Sequence, residues 1–209
     1  MSPFDRRQFS PSAARNRDPI LAVLQRVLPS AGLVLELGSG TGEHAVHFAR
    51  HLSALRWQPS EADPAALASI TDWVVHAALP NVLPPLCFDL AATPWPVAAA
   101  DAVVAINVLH YSPWPTTPAL FAGAAEVLPA GGVVVCYGPY RRGSAHTAPS
   151  NAEFDEWLRS IDARFAVRDL ETVEAEAQRC GFVLEEVVGM PANNLSLVFR
   201  RGAGCDAVA

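Results

Sequence analysis

Little in this sequence is charged. Asp, Glu, Lys and Arg make up 17% of 209 residues, and the acids outnumber Lys and Arg by 21 to 15, for a net charge of -6. No long Lys/Arg run occurs, which excludes a protein that grips nucleic acid non-specifically through a basic face. The acidic total also argues against RNA as a substrate, although a local basic patch remains compatible with it. Cysteine is scarce as well. Cys87, Cys136, Cys180 and Cys205 are scattered with no CxxC pair, so neither a zinc site nor a disulfide framework is indicated. Three of them lie in apolar runs or amphipathic patterns and read as buried small hydrophobes. No uninterrupted apolar stretch is long enough to cross a bilayer. The polar segment 1–17, with Arg6, Arg7, Arg15 and Arg17, lacks the apolar core of a secretory signal. The expected compartment is the cytoplasm.

Apolar residues are plentiful, 51% of the total, enough for a sizeable core and too many for a disordered chain. The length suits one domain over 1–201 with a flexible tail over 202–209, fraying from about Arg200. An apolar stripe through Ile20, Leu21, Leu24 and Val27-Leu28 predicts a helix over about 12–28, with Pro19 either kinking it or marking its start. A strand over 33–37, a helix carrying Ala45, Phe48, Ala49 and Leu52, and a strand over 55–60 follow. Asp63-Pro64 reads as a helix cap and first position. Strands are predicted over 83–88 and, as a run buried on both faces, over 101–108. A helix opens at Thr117-Pro118, a strand spans 133–137, and Ser150-Asn151-Ala152-Glu153 has capping-box spacing at the start of another helix. A helix over about 170–180 ends at Gly181, and strands over 182–188 and 195–199 close the chain. This alternation predicts an α/β fold: a seven-stranded, mostly parallel sheet with helices on both faces and one antiparallel strand.

The strongest local signal is Glu36-Leu37-Gly38-Ser39-Gly40-Thr41-Gly42, directly after the first strand. Alternate glycines permit a tight turn and close approach of a ligand to the backbone. A dinucleotide fingerprint would carry its last glycine at position 43. Here that position is Glu43, and a carboxylate there would repel a pyrophosphate. S-adenosylmethionine (SAM) has no phosphate and carries a sulfonium and an ammonium group, so an acid-rich glycine turn suits it. The plainer alternative is a strand–helix turn with no ligand. Acids further along favour the nucleoside. Glu61 ends the second strand, where a carboxylate accepts from ribose hydroxyls. Asp63 competes for that role but is better explained as a cap. Asp89, followed by Leu90, closes the third strand where the adenine amino group would lie, unless it is a simple turn residue. Asn107 ends the fourth strand and should face the methionine part of SAM. Arg15 and Arg17 can bind a carboxylate, of SAM or of an acidic substrate, or stand exposed on a helix.

Methyl transfer from a sulfonium requires no metal; the protein aligns acceptor, methyl and sulfur and excludes water. His110, Tyr111 and Trp114 are expected to line the acceptor side. His110 is the candidate base, since an imidazole titrates near working pH; a histidine simply hydrogen-bonded at a strand end is the alternative. A thiol acceptor would need no base. Tyr137 and Tyr140, with Tyr111 and Trp114, can form an aromatic wall or pack ordinarily. His44, His47 and His51 share a helix face, but no nearby acid or cysteine completes a metal set, and a mixed helix surface is the reading taken.

The chain resembles the domain of unknown function 938 family, the methyltransferase-like protein 26 group, from about Arg15 to Arg200. The resemblance rests on Arg15-Asn16-Arg17-Asp18-Pro19-Ile20-Leu21, the glycine turn running into Glu43-His44, Trp57-Gln58-Pro59-Ser60, and Tyr137-Gly138-Pro139-Tyr140. It rests also on Ser150-Asn151 with Phe154-Asp155, and on Met190-Pro191-Ala192-Asn193-Asn194. The family carries Asp after Pro-Ser where this chain has Glu61. The resemblance implies a class I SAM-dependent fold, favours a lid or substrate role for Asn193 and Asn194 over that of turn residues before the last strand, and brings no substrate with it; Asn151 is a further candidate on the substrate side. The expected function is methylation of a small molecule by a monomer or homodimer. The alternatives are a protein or nucleic-acid methyltransferase, a non-catalytic SAM-binding module, and a nicotinamide enzyme on a similar sheet.

Overall fold

The computed structural model describes residues 5–203. Its elements are α1 (Pro11–Val27), β1 (Gly32–Leu37), α2 (Glu43–His51), β2 (Leu55–Glu61), α3 (Pro64–Ala77), β3 (Leu86–Cys87) and β4 (Ala102–Ile106). There follow α4 (Thr116–Val127), β5 (Val133–Arg142), β6 (Ala145–His146), α5 (Pro149–Ile161), β7 (Arg168–Asp169), α6 (Leu170–Arg179), β8 (Phe182–Met190) and β9 (Asn194–Arg201). One sheet runs in the order β3-β2-β1-β4-β5-β9-β8, and the two short strands β6 and β7 attach to β5. The first five strands of that order are parallel, while β9 runs antiparallel to both β5 and β8. Chain order reverses between β1 and β4, which opens a crevice beyond their carboxyl ends.

Strand periodicity sorts the core into two layers. Leu35 and Leu37 of β1, Val103 and Ala105 of β4, and Val134 and Cys136 of β5 meet Phe121 of α4, with Val173 of α6 in the same layer. The intervening residues Val34, Ala102, Val104, Val133 and Val135 lie in the other layer, with Ile20 and Leu24 of α1 and Phe48 of α2. Continuous apolar runs in β4 and β5 are thus the mark of strands covered on both sides.

Several boundaries differ from the sequence reading for identifiable reasons. Helix α1 starts at Ser10, whose hydroxyl accepts from the Ala13 amide, and runs through Pro19, so the proline neither starts nor ends it. The third strand shrinks to two residues because Pro84 and Pro85 have no N–H to give the ladder; upstream only an isolated bridge joins Val82 to Trp57. Thr117 is buried inside the first turn of α4 rather than capping it, and Pro115 occupies the cap position. Pro149 sets the start of α5 ahead of the capping-box residues, and the Asn151 amide bonds Thr147 and the Asn193 carbonyl instead. Strand β5 continues to Arg142, and β9 reaches Arg201, so Arg200 is paired rather than frayed. Among the described cysteines Cys136 is buried, Cys87 exposed and Cys180 intermediate. Cys205 and the tail from 204 lie outside the described residues. Among the described residues no helix is long and apolar enough to cross a membrane.

Asp63 caps α3 as its sequence suggests, accepting from the Ala65 and Ala66 amides. Gly42 has φ 91°, and a Cβ there would lie 2.9 Å from the Ile70 Cα, so α2 and α3 close on the turn only because that side chain is missing. Gly42→Ala is therefore expected to lower the unfolding free energy by about 2 kcal/mol or more. An earlier urea midpoint at unchanged m-value reads this out; an unmoved midpoint contradicts the packing described.

Candidate functional site

Beyond β1 the chain turns through Gly38, Ser39, Gly40 and Thr41 into α2. Three contacts fix this turn against β2. The Ser39 amide donates to the Ser60 carbonyl at 2.9 Å, the Ser60 hydroxyl donates to the Glu36 carbonyl at 2.7 Å, and the Gly40 amide donates to Glu61 Oε2 at 3.0 Å. Glu61 Oε1 accepts from the Ala62 amide at 2.8 Å. Gly40 has φ 55°, and nothing lies within 4 Å of where its Cβ would be, so the turn presents bare backbone to open space. Below it Glu36 is 1% exposed and accepts from the Trp57 indole at 2.9 Å. Burial pushes its carboxyl pKa up to about 7 against the lowering effect of that hydrogen bond.

Two cavities share one lining residue at the crevice. The first, about 490 Å³, is lined by Gly38, Gly40 and Glu61 on one side, Phe88, Asp89 and Leu90 on another, and Asn107, Val108 and Tyr111 on a third. Asp89 Oδ1 accepts from the Ala91 amide at 2.9 Å, which shapes the loop and leaves Oδ2 open. The second cavity, about 310 Å³, is lined by Arg15 and Asn16 of α1, Tyr137 of β5, Asn151 and Phe154 of α5, and Ala192 and Asn194 of the β8–β9 turn. Asn107 lines both. Its φ is 61°, a left-handed conformation that asparagine tolerates better than most side chains. Its amide donates to the Tyr137 carbonyl at 2.7 Å, pinning the end of β4 to β5 at the partition between the cavities.

The structure brings Gly38, Gly40, Glu61, Asp89, Leu90, Asn107 and Tyr111 to the first cavity, and Arg15, Tyr137, Asn151 and Asn194 to the second. It places the remaining candidates elsewhere. Glu36 and Gly42 support the turn from beneath and line neither cavity. Asn193 also lines neither and lends its carbonyl to Asn151. His110 is fully buried; its Nδ1 accepts from the Arg168 amide at 3.3 Å, and its ring packs edge-on against Tyr140 with centroids 4.9 Å apart. Burial and the nearby Arg168 guanidinium push its pKa down to about 3, so it is a neutral core imidazole and not a base facing solvent. Tyr140 is 0% exposed, on the sheet face opposite Tyr137, because an odd spacing along a strand reverses the side. The aromatic wall expected from both tyrosines therefore does not form. Trp114 lies under Arg168, 5.7 Å from its guanidinium carbon, away from the cavities. Tyr111 instead meets Phe154, Trp157 and Phe165, with centroids 5.9–6.3 Å away.

Glu43 does not face the first cavity either: its carboxylate accepts from the Ser10 amide and the Thr41 hydroxyl. What opposes a diphosphate is Glu61, which occupies the Gly40 amide that would otherwise cradle a phosphate oxygen. The three histidines of α2 go to different partners, His44 to Asn16, His47 to Asp18 and His51 to the His47 carbonyl. Asn16 and Phe154 were missed as lining residues. A signal existed for Asn16, a polar side chain on the buried stripe of α1. None existed for Phe165, which reaches the first cavity from the loop before β7.

A family model described as a protein of unknown function (DUF938) matches residues 7–201. The chain belongs to the DUF938 family. Among solved structures, this DUF938 chain is similar to an O-methyltransferase family protein from Burkholderia thailandensis, with 17% identity and a TM-score of 0.79 over 92% of this chain and 58% of that one. An O-methyltransferase family 2 protein from Planctomyces limnophilus, in complex with apigenin, gives 18% identity and 0.76 over 96% and 62%. CalO1, a methyltransferase of calicheamicin biosynthesis in its S-adenosylhomocysteine-bound form, gives 19% and 0.71 over 91% and 54%. The DUF938 chain thus has the class I methyltransferase fold and spans roughly three fifths or less of these proteins' lengths.

The buried Glu36 has a consequence for stability. Its folded pKa is raised from 4.5 to about 7, so its favourable protonated form is complete below pH 4.5 and is lost as pH rises through about 7. Glu36→Gln should gain stability relative to wild type across that window, by on the order of 2–3 kcal/mol. Paired urea titrations at pH 4.5 and 7.5 measure the difference; a constant difference contradicts the raised pKa.

Proposed function

We propose that this DUF938 protein is a SAM-dependent methyltransferase acting on a small molecule. One observation carries the reading: a cavity floored by side-chain-free turn and rimmed by Glu61 and Asp89 shares Asn107 with a second cavity of small-molecule size. The donor set fits SAM. Carboxylates suit ribose hydroxyls, an amino group and a cationic nucleoside, whereas the closed Gly40 amide does not suit a phosphate.

Glu61 Oε2 keeps a lone pair beyond the one engaged by Gly40, and this accepts a ribose hydroxyl. Asp89 Oδ2 accepts from the nucleoside, while Leu90 and Phe88 give its base an apolar seat. Gly38 and Gly40 let the amino-acid portion approach the backbone, and Asn107 borders the point of transfer. Bound SAM supplies an electrophilic methyl on a sulfonium. Held by Gly38, Gly40, Glu61 and Asp89, it would give up that methyl to an acceptor in the second cavity and leave as S-adenosylhomocysteine, the acceptor's proton passing to water. Among the described residues no carboxylate or imidazole lines the second cavity, and burial raises the Tyr137 phenol pKa. The protein's contribution is therefore alignment of methyl and acceptor rather than a base. A small acceptor is supported by the structurally similar O-methyltransferase family 2 protein, which forms a complex with apigenin.

Calorimetric titration tests the cofactor. Micromolar binding of SAM and S-adenosylhomocysteine with no NAD binding is expected. Glu61→Ala should weaken it at least tenfold, the scale of a charge-assisted hydrogen bond. Asp63→Ala, two residues on, should cost about 1 kcal/mol of stability through the lost helix cap and leave SAM affinity intact. Equal effects of the two substitutions on affinity contradict the assignment.

A further inference from the structure

The second cavity is at odds with the charge of the molecule around it. The chain carries 21 acids against 15 Lys and Arg, yet among the described residues no acid lines this cavity, and its one charged lining residue is Arg15. Seven of the other fourteen arginines pair with a carboxylate, as Arg6 does with Asp72, Arg26 with Glu186 and Arg159 with Asp155. Among the described residues Arg15 makes no ion pair or side-chain hydrogen bond. Tyr137 lines the same cavity, and burial raises its phenol pKa against the lowering effects of a hydrogen bond with Asn16 and of the Arg15 charge.

The remaining polar atoms have a definite sense. Asn151 uses its Nδ2 on the Thr147 hydroxyl and the Asn193 carbonyl. Asn194 uses its Nδ2 on the Pro191 and Ala192 carbonyls. No donor among the described residues reaches either Oδ1, so both amides offer the cavity acceptors. The apolar wall is flat. The Phe154 ring lines the cavity and stacks on Trp157, with centroids 5.6 Å apart and planes at 28°. It also meets Tyr111, which lines the neighbouring cavity, at 6.0 Å.

We propose that the methyl acceptor is a small hydroxylated aromatic carboxylic acid, its carboxylate paired with Arg15, its ring on Phe154 and its hydroxyl donors on the asparagine oxygens. The inference rests on the methyltransferase reading above and gives it a substrate class. It also moves Arg15 from the cofactor to the acceptor, since Arg15 lines the cavity that the glycine turn does not reach. A cavity of about 310 Å³ holds one ring and its substituents. Guanidinium and carboxylate form a paired, charge-assisted contact that an ester cannot reproduce.

Calorimetry on the full chain saturated with S-adenosylhomocysteine tests this without turnover. The probes are 4-hydroxybenzoate, 4-hydroxycinnamate and indole-3-carboxylate, each beside its methyl ester. At least one acid should bind tenfold or more tightly than its ester. Arg15→Ala should reduce that acid to the ester's level, Arg15→Lys should restore part of the difference, and S-adenosylhomocysteine affinity should stay within twofold in both. Acids and esters binding equally, no acid binding to the saturated protein, or Arg15→Ala weakening the nucleoside instead of the acid would each overturn the proposal. Failure of S-adenosylhomocysteine itself to bind would overturn the methyltransferase reading, and the acceptor assignment with it.

Discussion

The hydrogen bond from the Gly40 amide to the Glu61 carboxylate joins the loop after β1 to the end of β2 and sets the shape of everything above it. A bare turn has no side chain to hold it, so its position depends on contacts from outside. Glu61 supplies one on the cavity side, and Ser39 and Ser60 bind each other's strands beneath. Glu36 and Trp57 close the layer below that. The same carboxylate that shapes the bend lies on the cavity rim, so a ligand that engages Glu61 acts directly on the backbone it rests against. Loss of Glu61 would then loosen the turn as well as remove an acceptor.

From this clasp the rest of the arrangement follows by topology. Reversal of strand order between β1 and β4 leaves a crevice, and the left-handed Asn107 ends β4 inside it. Strand β5 runs on to Arg142, placing Tyr137 over the α1 face and Tyr140 in the opposite core. Helix α1 and the β8–β9 turn then wall off a second space that the glycine turn does not line. Two ligands can thus be held on either side of one residue, the geometry that a direct group transfer requires.

The parts of the site carried by local chemistry were legible in the sequence. Alternate glycines, an acid at each strand end, and Asp63-Pro64 as a cap each express a backbone need that neighbouring residues reveal. The parts set by tertiary packing were not. His110 sits in a strand-end segment that reads as site-facing, but Arg168 and Tyr140, far away in the chain, enclose it. A strand predicted over 133–137 stops short of Tyr140 and leaves its face unassigned. Had the strand been extended through Pro139, period two would have put the tyrosines on opposite faces. The prolines at 84 and 85 were visible and should have shortened the third strand. Glu43 reads as a residue that would repel a pyrophosphate, but its carboxylate serves α1 and does not line the first cavity.

A crystal structure of the protein grown with S-adenosylhomocysteine measures the central claim most directly. The account predicts density for the nucleoside between Gly40 and Leu90, with its ribose on Glu61 and the space between Arg15 and Phe154 left for another molecule. Density for the ribose away from Glu61, a homocysteine carboxylate on Arg15, or no density at millimolar nucleoside would contradict it.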